Sequence, residues 1–320
     1  MNCIDVFNGD ADGICALQQL RLHRPRPNAL LITGVKRDQA LLARLAGTAA
    51  SRITVLDISL DRNREPLEQL LADDNLIFYA DHHYSGQIPA APSLEAHIDP
   101  APRTCTALII DQLLDGAYRP WALVGAFGDN LDEVARSHAE ALGLRADDIE
   151  ILNQTGRLLN YNSYGQTVAD LWVHPAELFG EVRRFGDPFS LYRDSPLLAQ
   201  LRRGYDQDLA KAARMRPCRC FPGGRVFCPP PERWANRVVG VWANQLAREQ
   251  PGMAHAVVLV NPDRSLRVSV RAPLTTRQRA DTLCRQFATG GGRAAAAGIN
   301  RLPAAELESF LDRFDRFFSS

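Results

Sequence analysis

The chain has 320 residues, enough for two ordinary domains with separate cores, and its 37 Lys plus Arg balance its 37 Asp plus Glu. That balance excludes a global basic field for gripping a long nucleic-acid duplex and favours a small substrate held by local charge. No apolar run approaches the ~20 residues a bilayer span requires, and Met1-Asn2-Cys3-Ile4-Asp5 lacks the basic-then-apolar pattern of a signal peptide, so a cytoplasmic protein with reduced thiols and no membrane partner is expected.

In chain order, residues 3–7, 29–34, 52–57 and 75–80 are short apolar or β-branched runs, separated by stretches of helical spacing such as Ile14, Leu17 and Leu20. This alternation predicts βαβ units and a parallel sheet covered by helices. Residues 94–98 add a strand, and from 104 to about 215 the pattern is almost wholly helical. Residues 217–231 are rich in Pro and Gly and read as a linker. Beyond them a helix over 233–249, strands over 255–261 and 265–271 around a Pro-Asp turn, and helices over 275–287 and 304–318 predict a smaller α/β domain. The expected organisation is therefore α/β throughout: a parallel-sheet domain with a helical extension over 1–216, a linker over 217–231 and a second domain over 232–320.

Nearly all basic residues are Arg, with Lys36 and Lys211 the only lysines. This reads as a composition background, and Arg183, Arg184, Arg202 and Arg203 in the helical stretch read as solvated helix faces. Cys218, Cys220 and Cys228 lie close together, but their spacing and the missing fourth ligand argue for ordinary thiols over a zinc site.

Four acidic clusters each stand where a predicted element runs out. Asp10 and Asp12 follow the first strand in a turn eased by Gly9 and Gly13, so that both carboxylates can enter one cavity. Asp57 closes a strand apolar on both faces and hence central in the sheet, where a carboxylate can bridge two ions. Asp81-His82-His83 places two imidazoles beside a carboxylate, supplying a ligand and a hydrogen-bonding partner for it. Asp129 ends the apolar helical run from Trp121. Strand ends on one side of a parallel sheet converge, and crowded carboxylates repel unless a cation neutralises them. A divalent metal site is expected, with Mn²⁺ or Mg²⁺ favoured over Zn²⁺ by hard oxygen ligands and the absence of thiolates.

In order and spacing these clusters resemble the four motifs of the DHH phosphoesterase superfamily, which is named for the Asp81-His82-His83 type motif. Ser269-Val270-Arg271 and Gly290-Gly291-Gly292-Arg293, followed by Ala296-Ala297-Gly298, are similar to its DHH-associated domain. The resemblance implies a hydrolase using one or two divalent ions, usually Mn²⁺. It implies that Asp12, Asp57, His82 and Asp129 hold one ion and that Asp10 with Asp57 holds part of a second, with His83 in support and Asp57 and His83 in catalytic roles. It also implies that Ser269, Arg271, Gly290, Gly291, Gly292 and Arg293 bind substrate phosphate. Two positions depart from the family pattern: Val6 replaces a usual His ligand, with Asn8 the nearest polar residue, and Arg293 replaces a usual His. RecJ-type exonucleases usually carry additional domains, whereas the two-domain length is similar to nanoRNase and phosphoadenosine-phosphate phosphatase types. The expected substrates are thus short single-stranded oligonucleotides or small nucleotide phosphates. A nucleotide-binding protein with a degenerate site and a phosphoanhydride hydrolase are the alternatives.

Overall fold

Runs such as Ile4-Asp5-Val6-Phe7 and Ile53-Thr54-Val55-Leu56 are rich in β-branched and apolar residues and free of proline, as suits strands covered on both faces. In the computed structural model, which describes residues 1–319, they form a sheet of five strands. These are β1 (Cys3–Asn8), β2 (Leu30–Gly34), β3 (Arg52–Leu56), β4 (Leu76–Asp81) and β5 (Leu94–Ile98), and the helices between them are α1 (Ala11–His23) and α2 (Arg64–Ala72). The spatial order is β2-β1-β3-β4-β5, and every neighbouring pair is parallel. On one face Ile4, Val6, Ile53, Val55, Ile77 and Tyr79 bury against Leu41, Leu42 and, from α2, Leu67 and Leu70. Each fully buried aliphatic side chain there contributes about 1.5–3 kcal/mol.

Helices follow as α3 (Thr106–Leu113), α4 (Arg119–Gly128), α5 (Asp132–Ala141), α6 (Ala146–Tyr161), α7 (Pro175–Val182), α8 (Pro188–Asp194) and α9 (Pro196–Ala213). On the other face of the sheet α1 lies over β1 and β3 and packs against α3 and α4, while α4 packs on α5 and α6. Close approach of α4 to α1 depends on Gly128, because a Cβ there would lie 2.2 Å from that of Ala11. The helical run expected after residue 104 is present as these seven helices.

The first compact unit spans Met1–Gly204 and the second Tyr205–Ser320, so α9 runs across the division. The second unit contains β6 (Arg219–Phe221), β7 (Gly224–Phe227), α10 (Arg233–Glu249), β8 (Ala254–Val260), β9 (Leu266–Arg271), α11 (Ala280–Cys284), β10 (Gly290–Arg293), β11 (Ala296–Leu302) and α12 (Leu307–Phe318). Its sheet has the order β10-β11-β9-β8-β7-β6, antiparallel except for the β7–β8 pair. Val258, Val268, Val270 and Ile299 form its core with Leu283 of α11 and Phe310 and Phe314 of α12. Asp208 on α9 and Arg237 on α10 make a buried two-pronged ion pair at 2.7 and 3.1 Å, which fastens the last turns of α9 to this unit.

Residues 217–231, expected to be a linker, instead carry β6 and β7. Their hairpin pairing, with Arg219 opposite Val226, brings the flanking cysteines together, and Cys218 and Cys228 form a disulfide with Cα atoms 6.0 Å apart. These two were expected to be free thiols; Cys220 is free and exposed. The helix expected over 275–287 forms only from Ala280 to Cys284, and the glycine-rich Gly290–Arg293 is a strand, β10, paired to β11. Among the described residues no helix is long and apolar enough to cross a membrane.

His255 on β8 is fully buried opposite Arg225 of β7, and its Nδ1 has no partner. Burial first, and then Arg225, push its pKa down to about 4 against a weaker opposing pull from the Gln250 carbonyl and Glu249. The folded form therefore releases a proton that the unfolded chain holds up to its ordinary pKa of ~6.5. Stability from this group is complete above about pH 6.5 and is lost as pH falls towards 4, by roughly 3 kcal/mol. Denaturant unfolding at pH 7 and pH 4.5 should show this loss, and His255→Gln should flatten it; an unchanged pH slope in the variant would assign the loss to other groups.

Candidate metal centre

The carboxyl ends of β1, β2, β3 and β4 lie along one edge of the parallel sheet, and the residues just beyond them converge there. Past β1, Asp10 caps α1, its Oδ1 accepting a hydrogen bond from the Gly13 amide at 3.1 Å. Past β3, Asp57 takes a left-handed conformation with φ of 57° that re-aims its side chain. Past β4 come His82 and His83, while Asp129 caps the carboxyl end of α4. Lys36 stands two residues beyond β2.

Asp12 is turned inward and pinned by the first turn of α3: the amides of Thr106 and Ala107 donate to its two oxygens at 2.8 and 2.7 Å. His82 Nε2 faces three carboxylates, at 3.4 Å from Asp57 Oδ1, 3.7 Å from Asp129 Oδ2 and 3.9 Å from Asp12 Oδ2. One ligand atom each of Asp57, His82 and His83 also falls within a 4.8 Å span. His83 is oriented by Asp81, whose Oδ1 meets its Nδ1 at 2.7 Å.

A second focus lies beside the first. Lys36 Nζ donates to Asp10 Oδ2 at 2.5 Å, Asp129 Oδ1 at 3.1 Å and Asn160 Oδ1 at 3.4 Å. Asp129 is thus shared, one oxygen towards His82 and the other towards Lys36. The backbone of Lys36 is held on both sides: Asn8 Nδ2 donates to its carbonyl and its amide donates to Ser163 O, each at 3.1 Å.

The electrostatics match this division. Burial and the neighbouring Asp10, Asp12 and Asp129 push Asp57 well above the ordinary carboxylate range. Asp12 is likewise raised by burial, against the pull of His82. Burial also opposes ionisation of Asp10, yet the Lys36 ammonium and hydrogen bonds from its surroundings overcome this and hold it at about 2. Burial would lower Lys36, but Asp10 and Asp129 reverse that and hold its pKa well above the usual lysine value. One focus is internally neutralised, then, and the other gathers negative charge around an imidazole.

That second condition fits a divalent ion. Donor atoms ~2.0–2.2 Å from one ion sit ~3–3.5 Å apart, so the 3.4–3.9 Å spacings around His82 Nε2 need only a slight contraction. Carboxylate oxygen with imidazole suits Mn²⁺ or Mg²⁺.

The sequence-predicted residues fall into two sets. Asp10, Asp12, Asp57, His82, His83 and Asp129 come together in the first unit, and Val6 is buried in its apolar core and points to no ligand role. In the second unit β11 lies between β9 and β10, with Gly298 opposite Ser269 and Gly291. There Arg271 donates to Ser269 Oγ at 3.1 Å and to Asn244 Oδ1 at 2.6 Å. Gly292 has a φ of 137°, which a side chain rarely adopts, and Arg293 is exposed. Sequence reasoning missed Lys36 and Asn160. The available signal was that Lys36 is one of two lysines in an arginine-rich chain and follows a predicted strand end.

No protein-family model and no curated protein sequence matches this chain. Solved structures do match. A DHH domain from a member of a family of ribosomal proteins superposes with a TM-score of 0.62 at 13% identity, covering 99% of this chain and 86% of the other. Exonuclease RecJ bound to manganese gives 0.58 at 17% identity, with 99% and 89% covered. The pGpG-specific phosphodiesterase PggH of Vibrio cholerae gives 0.58 at 11% identity, with 99% and 98% covered. Over its whole length, this chain carries the fold of the DHH-domain proteins.

Proposed function

We propose that this protein is a divalent-metal-dependent phosphoesterase that hydrolyses phosphodiester or phosphomonoester bonds of short oligonucleotides or small nucleotides. The observation that carries the reading is His82 Nε2 facing oxygens of Asp12, Asp57 and Asp129 at 3.4–3.9 Å in a buried, negatively charged pocket. The names of two fold relatives, an exonuclease and a phosphodiesterase, support the substrate class. Asp12, Asp57, His82 and Asp129 would hold Mn²⁺ or Mg²⁺. Bound there, the ion supplies Lewis-acid stabilisation of phosphoryl oxygens and acidifies water for attack on phosphorus.

The remaining chemistry belongs to side chains. The two α3 amides fix Asp12 so that its carboxylate need not reorganise when substrate binds. Asp57, between the His82 focus and Asp10, shares its charge with both. His83 is held through Nδ1 by Asp81, which leaves Nε2 to exchange a proton with water or a leaving oxygen. In the second unit Ser269, Arg271 and the glycine-rich Gly290, Gly291 and Gly292 are assigned to a substrate phosphate, with Arg293 as a planar two-pronged donor.

Incubation of the full chain with a dinucleotide, a mononucleotide and pyrophosphate in Mn²⁺ or Mg²⁺ tests the reading. Cleavage of the dinucleotide or mononucleotide that stops on chelation is the expected result; turnover of pyrophosphate alone would identify a phosphoanhydride hydrolase, and binding without turnover a degenerate site. Asp57→Asn should cut turnover by at least about 100-fold and weaken Mn²⁺ binding while thermal stability is kept, because Asn tolerates the left-handed backbone at this position. Near-normal turnover in that variant would remove Asp57 from the centre. Arg293→Ala should raise KM about tenfold with little change in kcat, and Arg293→Lys should recover part of it. Wild-type kinetics in both would leave Arg293 pointing to solvent.

A further inference from the structure

The four carboxylates of the centre surround two cation positions, and the two are built differently. One is centred on a neutral donor, His82 Nε2, with Asp12, Asp57 and one oxygen of Asp129 around it. An imidazole brings no positive charge in its ligating form, so that position is balanced only when an ion enters. The other is centred on Lys36 Nζ, in contact with Asp10 Oδ2, the second oxygen of Asp129 and Asn160 Oδ1. We infer that the Lys36 ammonium permanently occupies the second cation position, so that the centre holds one divalent ion beside a fixed lysine rather than a pair of ions. This rests on the metal-dependent reading proposed above and specifies the number of ions.

Two observations speak against a second ion beside the lysine. Of Asp10 and Asp57, the pair expected to share a second ion, Asp10 is already engaged: Nζ holds its Oδ2 and the Gly13 amide its Oδ1, so an ion bonded to Asp10 would have to displace the lysine. On β1, Val6 lies in the apolar core, and Asn8, which ends the strand, holds the Lys36 carbonyl through Nδ2 while its Oδ1 is buried without a partner. The lysine is also not a passing visitor, since Asn8 and Ser163 fix its backbone and Asn160, itself on α6, meets its head group.

Charge arithmetic agrees. When all four are ionised around a metal ion, Asp10, Asp12, Asp57 and Asp129 carry four negative charges; Lys36 and one divalent ion return three, leaving a modest negative excess. Two divalent ions together with Lys36 would put three cations within one small pocket, where like charges a few ångströms apart repel strongly. An ammonium has three N–H donors, and Asp10, Asp129 and Asn160 account for all three. Lys36 is accordingly a positioning residue: it holds the Asp129 oxygen that orients the other oxygen towards His82 and does not itself reach substrate.

The test is metal content and the electron paramagnetic resonance spectrum of the purified full chain saturated with Mn²⁺. Wild type should bind one Mn²⁺ per chain and give the six-line signal of an isolated ion. Lys36→Met keeps most of the stem and removes the charge, and it should bind two Mn²⁺ with a spin-coupled spectrum, as ions ~3.5–4 Å apart produce. Two ions in wild type would overturn this inference while leaving the metal-dependent reading intact. A Lys36→Met protein that still binds one ion would also overturn it, and wild type without bound Mn²⁺ would overturn both. Because the wild-type count decides the matter alone, the outcome does not depend on the variant folding.

Discussion

Four carboxylates within a few ångströms of one another, three of them held out of water, set the terms for the first unit. Asp10, Asp12 and Asp57 are each nearly inaccessible to solvent, and Asp129 leans over them. Buried like charges are tolerated only with counter-charge and hydrogen bonds supplied at fixed places. Nearly every local feature of that region answers this requirement: the α3 amides on Asp12, the Gly13 amide on Asp10, the lysine beyond β2 and the imidazole beyond β4.

The parallel sheet makes the arrangement possible. Its registry places the ends of β1, β3 and β4 side by side, so short turns suffice to gather groups separated by dozens of residues. Rigid strands, buried on one face by α2 and on the other by α1 and its neighbours, hold the turns in place. Asp57 shows the strain that remains, a non-glycine residue in the left-handed region at the heart of the site.

The carboxylates meet two different partners, the His82 imidazole and the Lys36 ammonium. Val6, in the interior of β1, serves the apolar core, and the cation beside Asp10 and Asp129 arrives from beyond the end of β2. The two solutions neutralise charge differently. An ion can leave or be exchanged, whereas a lysine is tied to the backbone and keeps Asp129 oriented whether or not metal is bound.

By itself the sequence determined the five strands and their α/β character, because β-branched runs and helical spacing are local signals, and it determined which carboxylates and histidines would meet, since all stand at strand or helix ends. The glycine and alanine strands β10 and β11 and the short β6 and β7 were illegible, as residues without bulky side chains leave no alternating pattern and become strands only when a neighbour supplies hydrogen bonds. The Cys218–Cys228 pairing likewise waited on the hairpin that aligns its flanks. Only the tertiary structure decided that Lys36 and Asn160 join the site and that the carboxylates divide into one set around an imidazole and another around an ammonium. That division depends on distances of an ångström or two between side chains brought from β2, α4 and α6, and no spacing along the chain encodes them.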